Sequence, residues 1–180
     1  MSTSAFDVAL KQFTTQNSKK LLVKSYILPL FEYCSPLLNN ITQEQADSLQ
    51  RAQNACIRFI YGVKKWEHIT PYYNRAQLLR IEIRRKILTL STLFKILSSQ
   101  SPPYLYNKYQ FRSTISSRVT RSHDLLLHKP RHFTDSYAKS FFISSIDLWN
   151  SLPFSILNSL SFISFRISLL EAVSGGLFSQ

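Results

Sequence analysis

Glycine is scarce: the chain has 3 in 180 residues, and two of them, Gly175 and Gly176, are adjacent near the end. Folds rich in tight β-turns draw on glycine for backbone at positive φ, so the shortage argues against an all-β protein. It also excludes a glycine-rich loop wrapped around a phosphate. Cysteine is scarcer still, with Cys34 and Cys56 alone. No C-x-x-C pair and no Cys/His cluster of zinc-finger spacing can be built from them, so two free thiols in a reducing compartment are expected. No apolar run approaches the roughly 20 residues that a bilayer span requires. The opening MSTSAFDVALKQF lacks the basic start and apolar stretch of a secretory signal. A soluble, intracellular protein with no membrane partner is expected.

Acidic residues are few and scattered, at 10 against 22 Lys and Arg. No two aspartates are adjacent, as a two-metal polymerase site would favour, and no G-x-S-x-G elbow is present. No catalytic residue, metal ligand or cofactor is expected. What the chain has instead is positive charge: a net +12 and a pI near 9.9. Such an excess favours a polyanion as partner, with RNA or DNA ahead of an anionic surface. At 44% hydrophobic, the chain can also bury a real core.

The pattern is helical throughout. Ser18 to Gly62 reads as two helices joined by a short turn. Asn17 or Ser18 can cap the first, after a polar leader at 1–17. Leu21, Leu22, Tyr26, Leu30 and Tyr33 follow at near-helical spacing, thickened by Val23, Ile27 and Cys34, so burial on most sides is expected. Pro29 predicts a kink, and Pro36 with Asn39-Asn40 predicts the end. Thr42 with Gln45 forms a capping box for the second helix, and Gly62 supplies its left-handed stop. Ala46, Leu49, Cys56, Ile57 and Ile60 make the inner face. Arg51, Asn54 and Arg58 share another face, which is either plain solvated surface or a phosphate contact.

Lys64, Lys65 and Trp66 follow at the exit. Thr70-Pro71 predicts a helix to about Leu79. A further helix is expected over 83–98, with Ile87, Leu90, Phe94 and Leu97 inward. Arg80, Arg84, Arg85 and Lys86 cluster near its start, where cations oppose the helix dipole. An external anion or a tolerated surface cluster both account for them. Pro102-Pro103 breaks that helix. Tyr104, Leu105, Tyr106, Tyr109 and Phe111 then form an aromatic group, read as satellite core ahead of a base-stacking surface.

Residues 112–135 differ in kind. Arg112, Arg118, Arg121, Lys129 and Arg131, with His123, His128 and His132, face only Asp124 before Asp135. This irregular basic segment is the best candidate for a loop that touches a polyanion. Val119 and Leu125–Leu127 can form short extended pieces. Thr134 or Ser136 begins a helix through Asn150, with Ala138, Phe142, Ile146 and Trp149 on one face. Leu152-Pro153 stops it. Ser161 caps a last helix with Phe162, Phe165, Leu169 and Val173 inward, and Gly175-Gly176 ends it before a tail.

The run LVKSYILPLFEY at 22–33, followed by Cys34-Ser35-Pro36, resembles a segment of non-LTR (LINE-type) retrotransposon reverse transcriptases, just after the polymerase palm. Further pieces agree in order: LQRAQNACIRFIYGV at 49–63, HITPYYN at 68–74, IEIRRK at 81–86 and LFKILSSQSPPYLYNKYQFRS at 93–113. TRSHDLLLHKPRH at 120–132, KSFFISSIDLWNSLP at 139–153 and SFISFRISLL at 161–170 continue the series. The likeness covers about residues 18–173 and looks nearest to the Jockey-like group. It implies that Ser18 to about Gly62 is thumb-like and the rest the family's C-terminal region. With the composition, the expected division is a leader at 1–17, a thumb-like helical domain at 18–111, the basic segment at 112–135, C-terminal helices at 136–173 and a tail at 174–180. The family's catalytic aspartates lie on the palm, so the resemblance brings no catalytic residue to this chain. Some relatives also carry a Cys/His zinc knuckle, which is absent here.

The expectation is therefore an all-α helical bundle of about six helices with an irregular basic segment. By this reading it is a non-catalytic fragment that binds the RNA or DNA backbone without sequence preference. The residues expected to reach phosphates are Arg51, Arg58, Lys64, Lys65, Arg84, Arg85, Lys86, Arg112, Arg118, Arg121 and Arg131. The alternative is a decayed fragment or helical protein-interaction module, which self-associates or packs on a polymerase palm through its apolar faces.

Overall fold

A threonine opens the first described helix. The Thr15 hydroxyl accepts the backbone N–H of Ser18 at 3.3 Å and caps α1 (Gln16–Leu22). Asn17 and Ser18, expected as the cap, lie inside the helix, because an equally good capping oxygen stands upstream with only Gln16 between. The structure is a computed structural model that describes residues 15–115 and 124–178. These residues fall into two compact units. One holds the described residues up to Tyr33 together with Thr42–Glu82. The other holds Cys34–Ile41 and the described residues from Ile83 onward.

In the first unit α1 continues into a π turn over Val23–Ile27 and then α2 (Leu28–Glu32). The Leu28 N–H reaches back five residues to the Val23 carbonyl. The distortion predicted at Pro29 takes this form. Proline offers no N–H to the carbonyl four residues before it and its ring crowds that carbonyl, so a widened turn just ahead relieves both problems. The helix ends at Tyr33 and Cys34, ahead of Pro36, and Cys34 takes a positive φ of 52°.

α3 (Gln43–Tyr61) has both expected ends. Gln45 N–H donates to Thr42 Oγ1 at 3.3 Å, and Thr42 N–H donates to Gln45 Oε1 at 3.0 Å. Gly62 closes it at φ +66°, with open space where a Cβ would stand, so backbone conformation alone selects glycine there. Ile57 and Ile60 of α3 pack with Val23, Leu28, Tyr73, Ala76 and Leu78 in the unit's core. Ala46, Leu49 and Cys56 are only half-buried.

The buried centre of α3 is a glutamine. Gln53 is fully enclosed, donates through Nε2 to the Leu79 carbonyl at 2.8 Å and accepts the Ile81 N–H through Oε1 at 2.9 Å. It thereby caps the next helix from across the unit. α4 (Thr70–Ala76) stops early, where Gln77 adopts φ +54°, and α5 (Ile81–Ser99) begins earlier than expected, at the residue Gln53 holds. Beside it the Tyr73 hydroxyl lies 2.7 Å from Asn54 Oδ1 and accepts from Gln50 Nε2 at 2.8 Å.

The second unit is built on the remainder of α5. Ile87, Leu90, Leu93, Phe94 and Ile96 are all buried, a wider surface than the single stripe anticipated. Phe94 stacks on Phe165 at 4.4 Å between ring centres, and Trp149 lies 5.9 Å from Phe165. Short helices α6 (Pro103–Tyr106) and α7 (Arg112–Ile115) follow. The single helix expected before Asn150 is two, α8 (Asp135–Ala138) capped by Thr134 and α9 (Phe141–Asn150) capped by Ser140. Ser140 captures the Ile143 N–H, which would otherwise extend the preceding turn. After Pro153 come α10 (Phe154–Leu157), not anticipated, and α11 (Phe162–Ser174), capped by Ser161 as expected.

The all-α expectation holds: the described residues contain no sheet and one isolated antiparallel pairing, Phe111 with Leu127. No described helix is long and apolar enough to cross a membrane.

Replacing Gln53 with Leu strands the Ile81 N–H and the Leu79 carbonyl. It should lower unfolding free energy by about 2–3 kcal/mol, read as a drop in urea midpoint. Burial pushes the Tyr73 phenol up to about 12, against an opposing hydrogen bond from Gln50. An unfolded tyrosine ionises near pH 10. The stability tied to neutral Tyr73 is thus complete below about pH 10 and lost between there and about pH 12. Tyr73→Phe should flatten that alkaline decline in melting temperature while lowering stability at neutral pH.

Candidate functional site

In the first unit, α3 ends in a turn that its own arginine organises. Arg58 donates to the Lys64 carbonyl and, through both terminal nitrogens, to the Glu67 carbonyl at 3.3 Å. The Glu67 N–H closes the turn on the Lys64 carbonyl at 3.2 Å. Arg58, expected as a phosphate contact, is instead half-buried and turned onto backbone. A guanidinium with five donors suits this work, since carbonyls left at a helix exit need partners. The turn it holds presents Lys64, Lys65 and Trp66 outward, with Trp66 80% exposed. Arg51 is exposed on α3.

In the second unit, Arg84, Arg85 and Lys86 sit in the second turn of α5 because that helix starts at Ile81. The first turn carries Glu82, which suits the helix dipole, while the exposed Arg80 directly precedes Ile81 and keeps one cation at the N-terminus. All three are half-buried and interact within the protein. Burial, and next the positive charge of Arg166, lower the Arg84 pKa from its ordinary value. The Lys86 ammonium stands 5.4 Å over the Phe178 ring.

The basic segment is anchored at both ends. Arg112 N–H donates to the Leu126 carbonyl and His128 N–H to the Gln110 carbonyl, each at 2.8 Å. The fully buried Leu127 turns its own N–H and carbonyl to the Asn150 carboxamide, at 2.9 Å each. Trp149 Nε1 holds the Leu125 carbonyl at 2.9 Å. Arg112 Nε donates to the Leu127 carbonyl at 3.2 Å, so this arginine braces the loop. Lys129 pairs with Asp147 at 2.8 Å. Arg131 is exposed. Arg118 and Arg121, with Val119 and His123, lie outside the described residues. Among the described residues no three His, Cys, Asp or Glu gather as a metal site.

Beside the anchored strand pair lies an open cleft of about 420 Å³, lined by Lys108, Gln110, His128, Pro130, Tyr137 and Phe142. Behind it the Phe142 and Tyr109 rings meet at 5.0 Å, and the Tyr109 hydroxyl lies 3.1 Å from Ser145 Oγ in the core. Burial raises the Tyr109 pKa. Of the aromatic group Tyr104–Phe111, Tyr109 is therefore core as expected, whereas Tyr104 is exposed. Sequence reasoning passed over Lys108, Gln110, Tyr137 and Phe142 as site residues. It also passed over Trp66, whose position directly after two lysines was the available signal.

The two tryptophans supply an internal control, since Trp149 is 3% exposed. Iodide should quench Trp66 emission and spare Trp149, and Trp66→Phe should remove nearly all of the quenchable fluorescence; equal quenching of both would contradict the Arg58-held turn. Compared with protein-family models, with curated proteins and with solved structures, the chain matches none of them.

Proposed function

We propose that this chain is a non-catalytic nucleic-acid-binding module, akin to the thumb and following region of a LINE-type reverse transcriptase, that contacts RNA or DNA phosphates without reading sequence. One observation carries the reading. The Arg58-braced turn holds two exposed lysines and an exposed indole together, the pairing of charge and stacking surface that a single-stranded backbone uses. The charge balance supports it in both units: nine cations stand against five acids in the first, and ten against four in the second, among the described residues. The phosphate-contacting set is reduced to Arg51, Lys64, Lys65 and Arg131, with Arg118 and Arg121 retained from the sequence.

If about six phosphates are neutralised, log Kd against log salt should have a slope of magnitude near 5 on duplex DNA, measured by fluorescence anisotropy. Replacing Lys64 and Lys65 with Ala should reduce that magnitude by about 2. Binding that ignores salt, or no binding at 50 mM salt, would sink the proposal.

A second reading rests on a different surface. Leu22, Tyr26 and Leu30, spaced four apart along α1, the π turn and α2, are 45%, 71% and 74% exposed. An apolar row of this kind fits a protein partner, whether a second copy or, by the resemblance, a polymerase palm. Oligomers in light scattering together with absent nucleic-acid binding would favour it.

A further inference from the structure

We infer that the cleft between the strand pair and α8–α9 takes one unpaired nucleotide of a single strand, its base stacked on an aromatic wall. The inference rests on the nucleic-acid reading above and assigns a separate place to the base. The cleft is lined by Lys108, Gln110, His128, Pro130, Tyr137 and Phe142, and encloses about 420 Å³. That lies toward the small end of the roughly 300–1,000 Å³ usual for ligand clefts, room for one planar heterocycle and its sugar.

The lining chemistry narrows the class. Among the described residues no carboxylate borders the cleft, and Lys108 brings a positive charge, so an anion is admitted. Tyr137 and Phe142 bring aromatic rings, which a carboxylate-rich peptide would not use and a base would. Gln110 and His128 can each present hydrogen-bonding edges: the backbone bond between them uses the Gln110 carbonyl and the His128 N–H and leaves both side chains exposed. Lys129 turns away to Asp147 at 2.8 Å, while its neighbours His128 and Pro130 line the cleft. The open mouth suits a base whose backbone stays in solvent. Duplex DNA, with its bases stacked inward, offers nothing to this cleft.

The test uses the full chain with a single-stranded oligoribonucleotide carrying one 2-aminopurine, its DNA counterpart and a blunt duplex of equal length. Binding of either single strand should change 2-aminopurine emission. Tyr137→Ala and Lys108→Ala should each weaken single-strand affinity about tenfold and suppress that change, while duplex affinity stays within twofold. Tyr137→Phe should restore both, and circular dichroism identifies any variant that has lost its fold. Should Tyr137→Ala not fold, Lys108→Ala and Tyr137→Phe decide alone. If single strands and duplex bind but neither Tyr137→Ala nor Lys108→Ala discriminates between them, the cleft assignment is wrong and the phosphate-binding proposal stands. If wild type binds neither, both fall. Displacement of the labelled strand by polyglutamate but not by unlabelled RNA would also overturn the assignment, in favour of an acidic peptide.

Discussion

A single buried carboxamide governs how the first unit is put together. Gln53 has no water to turn to, so its oxygen and nitrogen must each find a partner inside the protein. It finds them in the Ile81 N–H at the helix start and the Leu79 carbonyl two residues before it. The geometry is reciprocal: α3 must stand where Gln53 reaches the chain at 79–81, and α5 must begin at Ile81. That start carries Arg84, Arg85 and Lys86 into the second turn of α5, which is why they stop looking like an anion site.

Much of the fold was legible because helix ends are local. Thr42 with Gln45, Gly62, and Ser161 all work within four residues of themselves, and each acts as its sequence context implies. The failures share the opposite property. Gln53 and Asn150 read as ordinary polar positions on amphipathic helices, yet both clamp backbone more than twenty residues away in sequence. No periodicity signals that, since a glutamine facing a carbonyl and a glutamine facing water have the same spacing. The predicted ends at Leu79 and Ile83 missed for the same reason: tertiary capping, absent from local pattern, decided them.

The candidate site was less legible than the fold. Positive charge located the basic stretches correctly but did not reveal which cations the protein uses on itself. Arg58 and Arg112 satisfy carbonyls, Lys129 neutralises Asp147, and Lys64, Lys65 and Arg131 are left facing solvent. The cleft residues escaped notice because they are brought together from Lys108 through Phe142, across a stretch that includes the undescribed residues 116–123. The Phe111–Leu127 pairing and the Asn150 clamp help to place them side by side.

Arginine and lysine divide this labour for a physical reason. The guanidinium offers a planar fork of donors and is weakly hydrated, so it can serve two carbonyls at once with modest desolvation. Arg58 occupies such a position, and Arg112 spends its guanidinium on the Leu127 carbonyl. The lysine ammonium is compact and strongly hydrated, and gains little by facing carbonyls it cannot bridge. Lys64, Lys65 and Lys108 accordingly remain at the surface. A count of basic residues therefore overstates any phosphate-binding surface in proportion to how many arginines brace turns. The number of counterions released on binding measures the remainder, and for that reason it is a better gauge of this protein than its net charge.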